Sequence, residues 1–162
     1  MRATVLAVST AVAMLSMPVH AFEAGRADGK MIVNGRTIPL TYSYVVGRQK
    51  NQITNRGDDI KVILTDTPLA ADVNLQEFDA NFPEGVLGVV VCIDKDKQIS
   101  HLVVQHPDGM YDAGYFTKLP DYHYRARHGD AGMFAGTVFV SRPVATATIQ
   151  FTFDVNFSAP MQ

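Results

Sequence analysis

The clearest pattern in the chain lies near its C-terminal end. Ile149, Phe151, Phe153, Val155 and Phe157 alternate with Gln150, Thr152, Asp154, Asn156 and Ser158. Strand side chains point alternately to opposite faces, so this run predicts an antiparallel strand with one buried and one wet face. A slip of one residue would put the Phe side chains in water and Asp154 in the core. Its expected partner is 136–141, with Pro143 in the connection.

Other segments follow the same logic. Residues 22–30 are mixed and polar and read as a loose leader. Asn34-Gly35 sits between apolar runs, and both residues tolerate the positive φ of a tight hairpin turn. Residues 47–57 are polar and flanked by Gly, which predicts a loop. In 59–65, Ile60, Val62 and Leu64 take one face, with Lys61 and Thr65 on the other. Leu75, Phe78 and Phe82 are spaced for one face of a helix, which predicts a short helix over 70–82 with Asp72 at its start. Residues 86–93 are almost continuously apolar, as in a central strand covered on both sides. Residues 94–97 read as a turn, 98–105 as the returning strand, and 106–121 as loop around a short strand. Tyr122, Tyr124 and Ala126 alternate with His123, Arg125 and Arg127. The sum is an all-β, mainly antiparallel fold: a β-sandwich or small closed β-barrel of about eight strands with one short helix.

The N-terminal segment is of another kind. Arg2 precedes an uncharged, mostly apolar stretch over 3–15, then Met17-Pro18 and Val19-His20-Ala21. This is the pattern of a cleavable signal peptide over 1–21, leaving a single β-rich domain over 22–162. The run is shorter than the about 20 apolar residues that span a bilayer, so stable membrane insertion is not expected. The expected location is periplasmic or extracellular. Cys92 is the only cysteine, so no internal disulfide and no lipid-bearing residue near the cleavage site is available. Its setting, Val89-Val90-Val91-Cys92-Ile93, reads as a buried and inert thiol. A net charge of −2 gives no footprint for nucleic acid.

Three segments together carry a resemblance. They are the hairpin from Gly29 through Asn34-Gly35 to Tyr44, the strand Val62-Ile63-Leu64-Thr65-Asp66-Thr67-Pro68-Leu69, and the tail Phe153-Asp154-Val155-Asn156-Phe157-Ser158-Ala159-Pro160. The combination resembles a loose group of small exported bacterial β-rich proteins with no assigned function. The resemblance implies an exported β-rich domain and carries over no site. Ala145-Thr146-Ala147-Thr148 departs from the aromatic residues pictured in that group.

Candidate chemistry is sparse. His101, His106, His123 and His128 lack the spacing of a metal motif and read as scattered surface or loop residues. Asp94-Lys95-Asp96-Lys97 lacks the Gly and distal Glu of a calcium loop. Ser141 and Ser158 have no nucleophile-elbow glycines. No metal, cofactor or catalytic residue is assigned. The segment 106–128 is different, because it combines loop character with Tyr111, Tyr115, His123, Arg125 and Arg127. Tyr and Arg are enriched at binding hot spots, so these five residues are the candidate binding site. The competing reading is that Tyr122 and Tyr124 are core and the rest is packing. The function expected is a non-enzymatic binding or interaction module of the cell envelope, with an unknown envelope ligand or protein partner. The alternative is a small periplasmic hydrolase whose site the sequence does not display.

Overall fold

A computed structural model describes residues 24–47, 59–78, 81–113 and 121–162. The signal segment, Tyr115 and nearly all of the 47–57 loop lie outside them. The strands are β1 (Gly25–Val33), β2 (Arg36–Gly47), β3 (Ile60–Thr65), β4 (Gly88–Ile93), β5 (Ile99–His106), β6 (Gly109–Asp112), β7 (Tyr122–Ala126), β8 (Met133–Val140), β9 (Val144–Ala145) and β10 (Gln150–Pro160). Residues 25–30, expected as leader, belong to β1. They lack a hydrophobic signature because Arg26, Asp28 and Lys30 are exposed on the open face.

All named pairs are antiparallel, in the order β6-β5-β4-β3-β2-β1-β10-β8-β7, with β9 beside β10. The nine-strand path curls into a half-barrel. Among the described residues no backbone ladder joins its ends, β6 and β7. The path therefore describes neither the sandwich nor the closed barrel expected from the sequence. Side chains bridge the ends instead. Tyr111 on β6 and Tyr122 on β7 meet over one ring of the inner core. Both rings pack on Phe151, with centroids 5.1 and 6.3 Å away.

The hairpin between β1 and β2 turns at Asn34 and Gly35, with φ of 49° and 79°. Both values are positive, as the Asn-Gly pair predicts. Phe153 of β10 lies opposite Met31 of β1, and the whole alternating set from Ile149 to Phe157 is buried. These residues form the inner core with Leu40, Val62, Val91, Leu102 and Val138.

A second, smaller core lies on the outer face of β2–β5. Tyr44, Val46, Ile63, Val90 and Val103 pack there against Leu69, Leu75 and Phe78. β2 serves both cores. Ile38 and Leu40 join the inner one, whereas further along Tyr44 and Val46 join the outer one and Val45 the inner. The exchange of faces sits beside a bulge in β1 between Arg26 and Gly29, and bulges sharpen strand twist.

The covering segment, 66–87, is not the helix expected over 70–82. The described residues contain no helix. Backbone bonds here close isolated four-residue turns, with the amides of Val73, Glu77, Phe78 and Val86 donating to the carbonyls of Ala70, Asn74, Leu75 and Pro83. The Asn74 side chain accepts from the Gln76 amide, a local bond that competes with helix. The spacing of Leu75, Phe78 and Phe82 reflects burial on the sheet, not helical periodicity. Tyr44 pins the cover, its hydroxyl accepting from the Leu69 amide at 2.9 Å. Burial raises the Tyr44 pKa.

Candidate functional site

Among the described residues no such cover lies on the outer face of β1, β10, β8 and β7. It presents Arg26, Asp28, Lys30 and Ile32 from β1, and Thr152, Asp154 and Asn156 from β10. Thr137 and Phe139 come from β8, and His123 and Arg125 from β7. The β7–β8 register sets His123 opposite Phe139 and Arg125 opposite Thr137. The imidazole of His123 lies 5.1 Å from the Phe139 ring, and the Arg125 guanidinium 5.4 Å from the same ring. Two polar side chains thus pack on one aromatic ring, which restricts both on this face.

Arg127 follows directly after β7. Its guanidinium donates to Asn156 Oδ1 at 2.8 Å, and the Thr137 hydroxyl donates to the same oxygen at 2.7 Å. Two donors on one amide oxygen fix the Asn156 side chain and hold Arg127 against the sheet. Beside this pair opens a cleft of about 330 Å³ lined by Arg26, Asp28, Arg127, His128, Asp130 and Asn156. A neighbouring groove of about 500 Å³ is lined by Asp28, Lys30, Ile32, Thr152, Asp154 and Asn156. The two share Asp28 and Asn156, so they form one polar trough. Cations (Arg26, Lys30, Arg127) and carboxylates (Asp28, Asp130, Asp154) both line it, suiting it to a ligand that both donates and accepts hydrogen bonds.

The residues singled out from sequence divide between the two faces. His123, Arg125 and Arg127 share the outer face. Tyr111 is half-buried on the inner side against Phe151. Tyr115 lies outside the described residues. Tyr122 and Tyr124 belong with the inner core, Tyr122 buried and Tyr124 packed against it. Burial raises both phenol pKa values, and the Tyr111 hydroxyl adds to the shift of Tyr122. Sequence reasoning missed Arg26, Asp28 and Asn156, because only the β1–β10 and β10–β8 registers bring them to Arg127.

The histidines are also not all at the surface. His101 and His106 are buried. The His106 ring accepts from the Asp108 amide, and burial lowers its pKa. His101 stands between Cys92 and Asp112, with Nδ1 4.0 Å from the sulfur and Nε2 2.8 Å from Asp112 Oδ1. Among the described residues no group of three His, Cys, Asp or Glu side chains is placed to hold a metal ion. No described helix is long and apolar enough to cross a membrane.

No family model, curated protein or solved structure matches the chain.

Proposed function

We propose that the protein is an exported, non-enzymatic binding module of the cell envelope whose ligand lies in the polar trough on the outer face of β1, β10, β8 and β7. One observation carries this reading: the outer face of β2–β5 is covered by residues of the chain's own 66–87 segment, while among the described residues nothing covers the trough lined by Arg26, Asp28, Arg127 and Asn156. Arg forks bind carbonyl, carboxylate and phosphate oxygens, and fixed side chains lose little entropy on binding. A peptide or sugar-peptide fragment with carboxylate and amide groups fits the mix of donors and acceptors.

The test is a titration of the labelled protein with soluble peptidoglycan fragments, followed residue by residue in two-dimensional NMR spectra. Shift changes should concentrate on the outward residues of β1, β10, β8 and β7, and Arg127→Ala should weaken the response about tenfold or more, the loss of one charge-assisted contact. Changes centred on the 66–87 cover, or a response identical in the Arg127 variant, would move the site elsewhere.

A further inference from the structure

The Arg127 end of the trough is built on one row of the sheet. Register sets Arg26 of β1 opposite Ser158 of β10, and Ser158 opposite Ala135 of β8. Directly opposed side chains share a face, so the three stand side by side. Arg127 joins the row from the far side, its amide donating to the Ala135 carbonyl at 3.1 Å. The row therefore has an arginine at each end and small side chains in the middle, and all four residues line the cleft of about 330 Å³. Asp28 and Asp130 line the same cleft.

These opposite charges do not neutralise one another. The Arg127 guanidinium donates to the Asn156 amide oxygen instead of a carboxylate. Among the described residues the side chains of Arg26, Asp28 and Asp130 make no hydrogen bond or salt bridge. Both signs thus stay open to a ligand around one small-residue floor, which is complementary to a group that itself carries both signs. The rest of the trough has another character. A further cleft of about 210 Å³, lined by Ile32, Pro143, Gln150 and Thr152, has no charged residue in its lining. It shares Ile32 and Thr152 with the middle groove, so the concavity continues along β1 and β10 from a charged end to an uncharged one. Residues 26 to 32 of an extended strand span about 20 Å, the length of about six extended peptide residues.

We propose that the ligand of the trough is a peptide chain with a zwitterionic end, an inference that rests on the binding reading above. The end is a carbon bearing both a carboxylate and an ammonium. The carboxylate lies between Arg26 and Arg127, whose planar forks match its two oxygens. The ammonium lies against Asp28 and Asp130. The uncharged remainder of the peptide runs along β1 and β10 toward Ile32 and Pro143.

The test titrates the labelled protein at low salt with capped peptides identical but for their last side chain, followed in two-dimensional NMR spectra. Diaminopimelate supplies the carboxylate and the ammonium, lysine the ammonium alone, and aminopimelate the carboxylate alone. The diaminopimelate peptide should bind about tenfold or more tightly than either of the others, the loss of one charge-assisted contact. Asp28→Asn combined with Asp130→Asn should erase the preference over the aminopimelate peptide and spare that over the lysine peptide. Arg26→Gln should do the reverse. Should a variant fail to fold, the ranking of the three peptides on the wild-type protein decides the matter. Equal binding of all three in the trough, or no response to any of them where peptidoglycan fragments still shift its residues, would overturn this inference and leave the binding reading standing. Silence of the trough toward the fragments as well would overturn both. Tighter binding of glycerophosphoethanolamine than of the diaminopimelate peptide would overturn the assignment to a peptide.

Discussion

β4 and β10 lie four places apart in one sheet, yet their sequences differ in kind. β4 reads Gly-Val-Val-Val-Cys-Ile and is buried at every position. β10 alternates, with every second residue buried and the others half-buried or exposed. The inner face is much the same for both. What differs is the outer face, which 66–87 covers at β4 and nothing described covers at β10. A continuous apolar strand thus announces a second layer, and an alternating one announces a surface.

The hardest test of this contrast puts one charge on three faces. Ile63→Asp, beneath the cover, and Phe153→Asp, in the inner core, should each unfold the protein. Losing a buried side chain of this size costs about 2–5 kcal/mol, and burying the carboxylate adds to that. That is a large share of the usual 5–15 kcal/mol of stability. Thr152→Asp, on the open face, should stay within about 1 kcal/mol of wild type. Urea melts of the three variants give the comparison. Similar losses from Ile63→Asp and Thr152→Asp would erase the distinction between the two outer faces.

A gentler probe touches only the attachment of the cover. Tyr44→Phe removes the acceptor for the Leu69 amide and should cost about 1–3 kcal/mol. Hydrogen exchange should quicken across 66–87 while the β1–β10 ladder stays protected. Uniform loss of protection would mean that the cover and the sheet open as one unit.

Alkaline pH separates the tyrosines in the same way. Tyr44, Tyr122 and Tyr124 have folded-state pKa values raised above the ordinary 10. Their contribution is fully present below pH about 10 and is lost as pH rises toward the folded values, because only the unfolded chain ionises readily there. Tyrosinate absorbance should show these three phenols titrating only with unfolding. Tyr122→Phe should flatten the fall in melting temperature above pH about 10. A phenol that ionises reversibly near pH 10 in the intact fold would show that its burial is incomplete.

The smallest expected effect belongs to the open face. Replacing His123, Arg125 and Arg127 together by Ala should change stability by about 0.5 kcal/mol or less per site. The same triple change should remove binding of any ligand held in the trough. A large drop in melting temperature would instead make these residues structural, through Phe139 and Asn156.

Strand identity and register were legible wherever one face met the core and the other met water. Ile149 to Ser158 carries its whole answer in its alternation, and Asn34-Gly35 fixes a turn by local backbone preference. Residues 25–30 escaped notice because only Ala27 of that stretch packs on the core cluster. The 70–82 segment misled because apolar spacing measures burial on a surface, and an irregular cover can present the same spacing as a helix. The site was legible in part. Alternation alone placed His123, Arg125 and Arg127 on one face, but no local signal could join Arg127 to Asn156, 29 positions away. The same holds for Cys92 and His101, whose proximity depends on a turn and a bulge between them.

The β1–β10 ladder has a further consequence for how the chain is made. Arg26 lies opposite Ser158, so an interior ladder of the sheet joins the beginning and the end of the described chain. During synthesis β1 has no neighbour on that side until residues near 150–160 emerge. The strands from β2 to β6 can form a meander earlier, but the inner core lacks Phe151, Phe153 and Phe157 until the last strand docks. The inner core is therefore completed only after β10 has emerged, and contacts so distant in sequence place the fold among slowly folding topologies. Until then β1 and β8 each present a bare edge to other chains, the period of greatest risk of intermolecular pairing.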